Sequence, residues 1–410
     1  MYATQYAYRQ GKVNMIRRLK YISPGLVKSE IEVFHVAKGE DDIRLVYNGT
    51  SCGLNAVLWA PWFAVPTVNT LLRTVETGTF MGDGDIGDQF HNFMLHPSLQ
   101  SFVGVDFRVF PQDPGDKETT SLSHHQEHWE RLCMGLRPSP YMATQSQHRA
   151  EERVLCPSQA VLSTLPHNPF EWDAIQDNCP GNEDYNPQRP WLFLCRKDGS
   201  LALALYTYID DQRVTGPDHN LCWLGLQHVG STMSYLGIQI ASRKRRDVGM
   251  DNGAWSGSVV HTNGMVVVLI AQDKWDKSKD IVSKILCLIL QDPDSLPFKF
   301  LESARGFLVY VSRTYICMAP YLKGLHQTLD SWRSWMGKDG WKMDLRSILL
   351  IQDEGIADVY QGLDEAPSHV KAAPRLFNDM SALQVLLQGP LPCQRLVRAI
   401  GVGSVWYGGG

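Results

Sequence analysis

Two clusters of acids carry the residues most able to do chemistry. Residues 208–211 read Tyr-Ile-Asp-Asp, with Asp210 and Asp211 adjacent at the end of an alternating run. Asp is a poor strand former and each carboxylate raises its neighbour's pKa, so such a pair marks either a solvated turn or a metal site. Upstream, "MGDGDIGDQF" at 81–90 holds Asp83, Asp85 and Asp88. Asp83 and Asp85 are two apart and share a face on a strand. A strand ending in Asp85, beside a hairpin carrying Asp210 and Asp211, would set three carboxylates around two divalent cations. In-line nucleotidyl transfer needs such a pair, about 4 Å apart: one ion activates the attacking hydroxyl, the other stabilises the leaving pyrophosphate. Hard oxygen ligands suit Mg2+, with Mn2+ as a substitute.

A different chemistry is suggested by "HHQEH" at 124–128, where His124, Glu127 and His128 match the H-x-x-E-H spacing of a zinc peptidase helix. On a helix the two histidines share a face. No further acidic ligand is identifiable, so an exposed His-rich helix is the expectation.

The elements that must position these groups are of two kinds. Strand-like alternation recurs at "EVFHVAK", "DIRLVY", "WLFLCRK", "LALALYTYI", "SYLGIQIA" and "GMVVVLIA". Helix-like stretches lie at 70–77, 89–97, 122–132, 218–230 and 274–291. Interleaving of this sort predicts an α+β fold with an antiparallel sheet. From about 274 the chain turns mainly helical, with apolar residues near 3.6 spacing. Residues 148–200, rich in Pro, Asn and charge, are long for a connection and read as an insertion.

At 410 residues the chain has room for roughly two or three domains. No run of 18 apolar residues appears, so no membrane span is expected. The N-terminus is too polar and basic for a signal peptide. Nine scattered cysteines, without a C-x-x-C pair, argue for reduced thiols and an intracellular, cytoplasmic or nuclear, location. The net charge of −4 does not advertise a nucleic-acid partner, but residues 1–30 hold six Lys/Arg against one acid, and "SRKRR" at 242–246 is a basic knot. Such runs serve phosphate contacts or are simply solvated.

Six segments, taken in order, resemble the reverse transcriptases. "YIDD" at 208–211 is similar to their Y-x-D-D box, and "DIGDQF" at 85–90 to their D-x-x-x-x-F/Y box. "CMGLRPSPY" at 133–141 resembles the Gly-containing template-strand box. "FHVAKGEDDIRLVYNGTSCGLN" at 34–55 is similar to the fingers segment, "SYLGIQI" at 234–240 to the primer-grip box, and "ARGFLVYVSRTYICMAPYLKGL" at 304–325 to the thumb-side helix of retrotransposon polymerases. The resemblance runs from about 20 to 345 and points to the polymerase region of a long-terminal-repeat-like retrotransposon polyprotein.

It implies a right-hand polymerase: fingers and palm over 1–270 (with 148–200 inserted), a helical thumb over 271–345, and a connection over 346–410. The ending "VGSVWYGGG" resembles the first strand of an RNase H domain. Asp85, Asp210 and Asp211 would be the catalytic acids, and Asp85, Ile86, Asp210 and Asp211 would hold the two metal ions. Lys38 and Arg44 would contact the triphosphate. Phe90 would lie under the sugar and exclude a 2′-hydroxyl. Gly135 would let the backbone approach the template or base pair. Tyr208, Tyr235, Leu236 and Gly237 would support the primer end. Partners would be an RNA template, a DNA or RNA primer and deoxynucleoside triphosphates. The expected activity is RNA-templated DNA synthesis; the alternative is an inactive scaffold that keeps the fold to bind nucleic acid or protein. A lysine that protonates the pyrophosphate is expected between the Y-x-D-D hairpin and the primer grip. Residues 212–233 contain none, leaving Arg213 or His228 as substitutes.

Overall fold

The computed structural model describes residues 2–37, 43–107, 126–155, 168–331 and 367–399. It divides into two compact units. The first comprises 1–66, 80–175 and 194–249; the second comprises 67–79, 176–193 and 250–410.

The first unit opens with helix α1 (Tyr2–Arg18), followed by β1 (Ile22–Pro24) and the hairpin β2 (Glu32–Ala37) and β3 (Ile43–Asn48). A short helix α2 (Leu54–Val57) follows. β4 (Phe80–Asp85) leads to α4 (Pro97–Gln100), β5 (Gly104–Val105) and β6 (Glu127–Trp129), and β1, β6 and β5 make a small sheet. Helix α5 (Ser139–Leu155) comes next. β7 (Ala174–Asp177) and β8 (Leu192–Cys195) pair as a two-stranded ribbon. The central sheet is completed by the hairpin β9 (Ala204–Tyr208) and β10 (Asp211–Gly216), helix α6 (His219–Tyr235) and β11 (Arg246–Gly249), with strand order β11-β4-β10-β9.

Glycines at alternate positions of β4 explain how α6 lies on this sheet. A Cβ at Gly82 would sit 3.0 Å from Val248 and 3.1 Å from Leu226 of α6, and one at Gly84 would also meet Leu226. The residues between them, Met81, Asp83 and Asp85, point to the opposite face by the period of two. The strand thus gives its small face to the helix and its acids to the other side. Helix α6 starts on Asp218, whose carboxylate accepts from the Leu221 amide at 2.8 Å. It stops at Gly237, φ +82°, where the amides of Gly237 and Ile238 return to Ser234 and Met233.

In the second unit, α3 (Val68–Leu72) precedes a three-stranded sheet of β12 (Ser258–His261), β13 (Met265–Ile270) and β16 (Arg395–Ala399). β14 (Leu296–Pro297) and β15 (His369–Val370) form a further short pair. The helices are α7 (Gln272–Gln291), α8 (Phe298–Ser312), α9 (Lys323–Asp330) and α10 (Leu376–Leu386). α7 buries Trp275, Ser278, Val282, Ile285, Leu286 and Ile289, one stripe at helical spacing, into a core shared with Leu301, Leu308, Leu325 and Leu383.

Five of the six expected strands are present. The sixth, "SYLGIQIA", is the end of α6, its terminating turn and an extended strip. The helix expected over 122–132 is in its described part the strand β6, and those over 70–77 and 89–97 shrink to α3 and a single 3-10 turn, Gln89–Asn92. The strand at 127–129 also removes the peptidase reading. Alternation sends Glu127 and His128 to opposite faces, and Glu127 is tied to Arg17 by two hydrogen bonds of 2.7 Å. His124, like Lys38, lies outside the described residues. The eight described cysteines are free thiols. Among the described residues no helix is long and apolar enough to cross a membrane.

Candidate active site

The register of the central sheet builds the site. Asp211 stands directly opposite Asp85 on β4 and opposite Tyr208 on β9. Like charges facing one another across strands are destabilising. Asp210 adds a third carboxylate from the two-residue turn Ile209–Asp210. Ile209 has φ +59° while Asp210 is not in the left-handed region, the pattern of a type II′ hairpin. A β-branched residue there costs of the order of 1–3 kcal/mol, which the surroundings must offset. The Asp210 carbonyl accepts from the Ile86 amide at 3.0 Å. The Ile209 carbonyl accepts from Gln89 at 2.7 Å.

The next row on the same face gives its acid cationic partners. Arg213, fully buried, grips Asp83 through Nε at 2.7 Å and Nη2 at 2.8 Å, and Arg246 adds a contact of 3.2 Å. Asp83 is therefore a buried structural counter-ion. Arg213 is committed to it, and His228 bonds the Val154 carbonyl at 3.1 Å. Neither reaches the acids as a stand-in for a lysine.

The cation that does reach them is Lys244, whose Nζ lies 2.8 Å from both oxygens of Asp85. Its placement follows from the strip after α6. Gly87 donates to the Gln239 carbonyl and Ala241 to the Asp85 carbonyl, both at 2.8 Å, while Asn92 accepts from the Gln239 amide at 2.8 Å. The strip runs antiparallel to Asp85–Gly87, and the turn Ser242–Lys244 then folds the ammonium back onto Asp85. Lys244 belongs to the basic knot at 242–246, eleven residues beyond the end of the stretch in which a lysine is expected.

Burial and mutual repulsion govern the remaining acids. Burial pushes the Asp211 carboxyl up to about 6, helped by Asp210 and Asp85 and opposed by Lys244. Burial also raises Asp210, with Asp85 adding to the rise and Lys244 and Arg44 opposing it.

A cavity of about 300 Å³ adjoins the acids. Its walls include Lys12 and Met15 of α1, Arg44, Leu45 and Tyr47 of β3, Ile86 to His91, Met134, Ile209, Asp210 and Lys244, save for Gly87. Of the nominated residues, Arg44, Ile86, Phe90 and Asp210 thus meet at one cavity. Gly135 is next to its wall at Met134, with φ +101°, and a Cβ on it would lie 1.8 Å from the Tyr47 carbonyl oxygen. Its glycine identity is required by packing against β3. Tyr235 (89% exposed) and Leu236 lie at the exposed end of α6, and Gly237 follows them; none lines the cavity. His91 is pressed between Tyr21 and Trp129 at ring distances of 5.0 Å, and burial lowers it to about 4, so it is neutral at ordinary pH.

The donor set of three carboxylates and the Ile86 carbonyl suits a hard divalent ion. The arrangement is nevertheless closed around Lys244: among the described residues no three metal-ligating side chains gather at one point. An ion at Asp85 would have to displace the ammonium.

No protein-family model and no curated protein matches the sequence. Solved structures do match. One is the foamy viral protease-reverse transcriptase dRH in complex with double-stranded DNA (TM-score 0.51, 11% identity, 91% of this chain and 46% of that one). Another is the foamy viral protease-reverse transcriptase with double-stranded DNA (TM-score 0.49, 11% identity, 93% and 57%). The chain spans about half the length of these proteins. At such identity the likeness is one of fold, and it rests on the first of them: this mixed helix-and-sheet chain has a reverse-transcriptase-like fold.

Proposed function

We propose that the chain is an RNA-directed DNA polymerase, a nucleotidyltransferase that extends a primer with deoxynucleotides, and that it derives from a retrotransposon-type polyprotein. The observation that carries this reading is the register that sets Asp211 opposite Asp85, with Asp210 on the adjoining turn, at the edge of a cavity of about 300 Å³. A sheet gains nothing by opposing two acids unless a cation is to be held there. The foamy viral protein of like fold is described with double-stranded DNA, which supports a primer–template as the partner.

In this reading Asp85, Asp210, Asp211 and the Ile86 carbonyl would hold divalent ions, Mg2+ or Mn2+. When bound, they supply charge stabilisation at the reacting phosphate and lower the pKa of the primer hydroxyl. The chain's own residues do the rest. Arg44 in the cavity wall binds the triphosphate, with Lys38 assigned the same task by its place in the fingers segment. Phe90 is the floor under the sugar, where its ring excludes a 2′-hydroxyl. Lys244, whose ammonium lies on Asp85, would be the candidate to give the departing pyrophosphate its proton if Asp85 held an ion instead. Tyr208, opposite Asp211, supports the primer end, with Tyr235 to Gly237 in the same role by resemblance.

The competing reading, a scaffold without turnover, draws support from Lys244, which already neutralises Asp85 without any metal. Primer extension on an RNA template with deoxynucleotides and Mg2+ or Mn2+, beside an Asp210→Asn/Asp211→Asn control, decides between them. Extension that the control lacks establishes the polymerase. A folded protein that binds primer–template without extending it is the scaffold.

A further inference from the structure

The turn that carries Asp210 is backed by amides that the mechanism above leaves unused. Ile209 is held at φ +59°, and its carbonyl oxygen accepts from Nε2 of Gln89 at 2.7 Å. The same Nε2 donates to Oε1 of Gln147 at 2.7 Å, so both of its protons are committed. Gln147 in turn donates from its own Nε2 to Oε1 of Glu151 at 3.1 Å. The order of donors fixes every amide orientation: Gln147 must turn its oxygen to Gln89 and its nitrogen to Glu151. Gln89 and Gln147 are 6% and 0% exposed, so the bond between them is shielded from bulk water and losing it is costly.

The two glutamines come from different elements. Gln89 sits on the 3-10 turn after the Asp85 strand, and Gln147 is in the middle of α5, 58 residues on. Gln89 also borders the cavity, whereas Gln147 is not among its walls. We infer that Gln89, oriented by Gln147, is a positioning residue. Its amide fixes the left-handed Ile209 peptide and through it the place of the Asp210 carboxylate relative to Asp85. This rests on the reading of Asp210 as a catalytic acid. A polar core pair of merely structural value would stabilise the fold without governing the turn.

Gln147→Met separates the two, because it removes the orienting bond without touching the cavity. Gln89→Met, which removes the bond to Ile209 itself, is the second variant. Backbone hydrogen exchange of the full chain, followed on peptides spanning 205–212 and on α7 as reference, is the first readout. Both variants should exchange about tenfold faster across the turn, the factor expected for one lost hydrogen bond, with α7 unchanged. Glu151→Gln, which keeps an acceptor for Gln147, should leave the turn as it is. In primer extension, Gln147→Met should lower kcat about tenfold with KM for the deoxynucleotide kept within about twofold. The double variant should be no slower than Gln89→Met alone, since the two act in series. Unchanged exchange at the turn overturns the inference, and so does exchange that rises equally in α7. If the unaltered chain fails to extend a primer, the polymerase reading fails, and the exchange measurement still decides whether Gln89 positions the turn.

Discussion

Replacing Asp211 by Asn should make the metal-free protein more stable while abolishing any polymerase activity. Folding places Asp211 opposite Asp85 and beside Asp210, and burial with these two neighbours pushes its carboxyl from 3.8 up to about 6. Because the folded value lies above the unfolded one, the fold favours the neutral acid. Stability from this group is fully present below about pH 4 and is lost as pH rises through about 6. At about 1.36 kcal/mol per pH unit the gap corresponds to about 3 kcal/mol. Part of the carboxyl faces solvent, so screening reduces this to about 1–2 kcal/mol. Asn keeps the shape and removes the charge. In EDTA at about pH 7.5, urea denaturation should therefore show Asp211→Asn more stable by about 1–2 kcal/mol, and the advantage should vanish near pH 4. Mg2+ should close the gap at neutral pH by stabilising only the unaltered chain. A variant that is equally or less stable at neutral pH without metal, or whose advantage persists at pH 4, would refute the reasoning, because the opposed acids would then not be in conflict.

Asp83→Asn leaves the guanidinium of Arg213 buried without its counter-charge and should cost about 3–5 kcal/mol in denaturant midpoint; a cost under about 1 kcal/mol would mean that water or Arg246 already screens it. Gly135→Ala forces a methyl against the Tyr47 carbonyl at positive φ and should lower stability by at least about 2 kcal/mol, read by thermal melting, with or without nucleic acid present. Lys244→Met removes the ammonium that competes for Asp85, so Mn2+ followed by electron paramagnetic resonance should bind about tenfold more tightly; weaker binding would show that Lys244 helps to shape the site. Phe90→Ala should raise ribonucleotide use relative to deoxynucleotide use by about tenfold or more in primer extension, and an unchanged ratio would remove Phe90 from the sugar site.

The acids of the site were legible because both their signals are local. A period of two puts Asp83 and Asp85 on one face, and a short turn joins Asp210 to its strand. Asp83's partner was legible in principle as well. Once Asp211 opposes Asp85, each step back along β4 is matched by a step forward along β10, so Arg213 must oppose Asp83. Lys244 was not legible, since it reaches Asp85 only by way of a helix end, a strip paired to Asp85–Gly87 and a turn, and nothing in "SRKRR" distinguishes one basic residue from the next. The strand reading of "SYLGIQIA" failed for a related reason: its alternation is real, but Gly237 supplies the left-handed turn that ends α6 and takes the first half of the motif into the helix. Glu127 was misread because the adjacent Glu127 and His128 can serve one ion only on a helical turn, and residues 127–129 form a strand, where neighbours point to opposite faces.

Two adjacent rows on one sheet face therefore obey opposite electrostatic rules. In the row of Asp83, two arginines meet one acid, the guanidinium of Arg213 is sealed from water against its counter-charge, and no further cation is called for. In the row of Asp85 two acids meet across the strands, a third stands on a strained turn, and the only counter-charge within hydrogen-bonding distance of Asp85 among the described residues is an ammonium on a side chain that is 56% exposed. An exposed lysine can withdraw at little cost, whereas a buried arginine cannot. The first row is closed by its buried pair, whereas the second is the one that, on the function proposed above, would open to an ion. That contrast, more than the presence of the three acids alone, is the argument for a cation-exchanging site at the edge of this cavity.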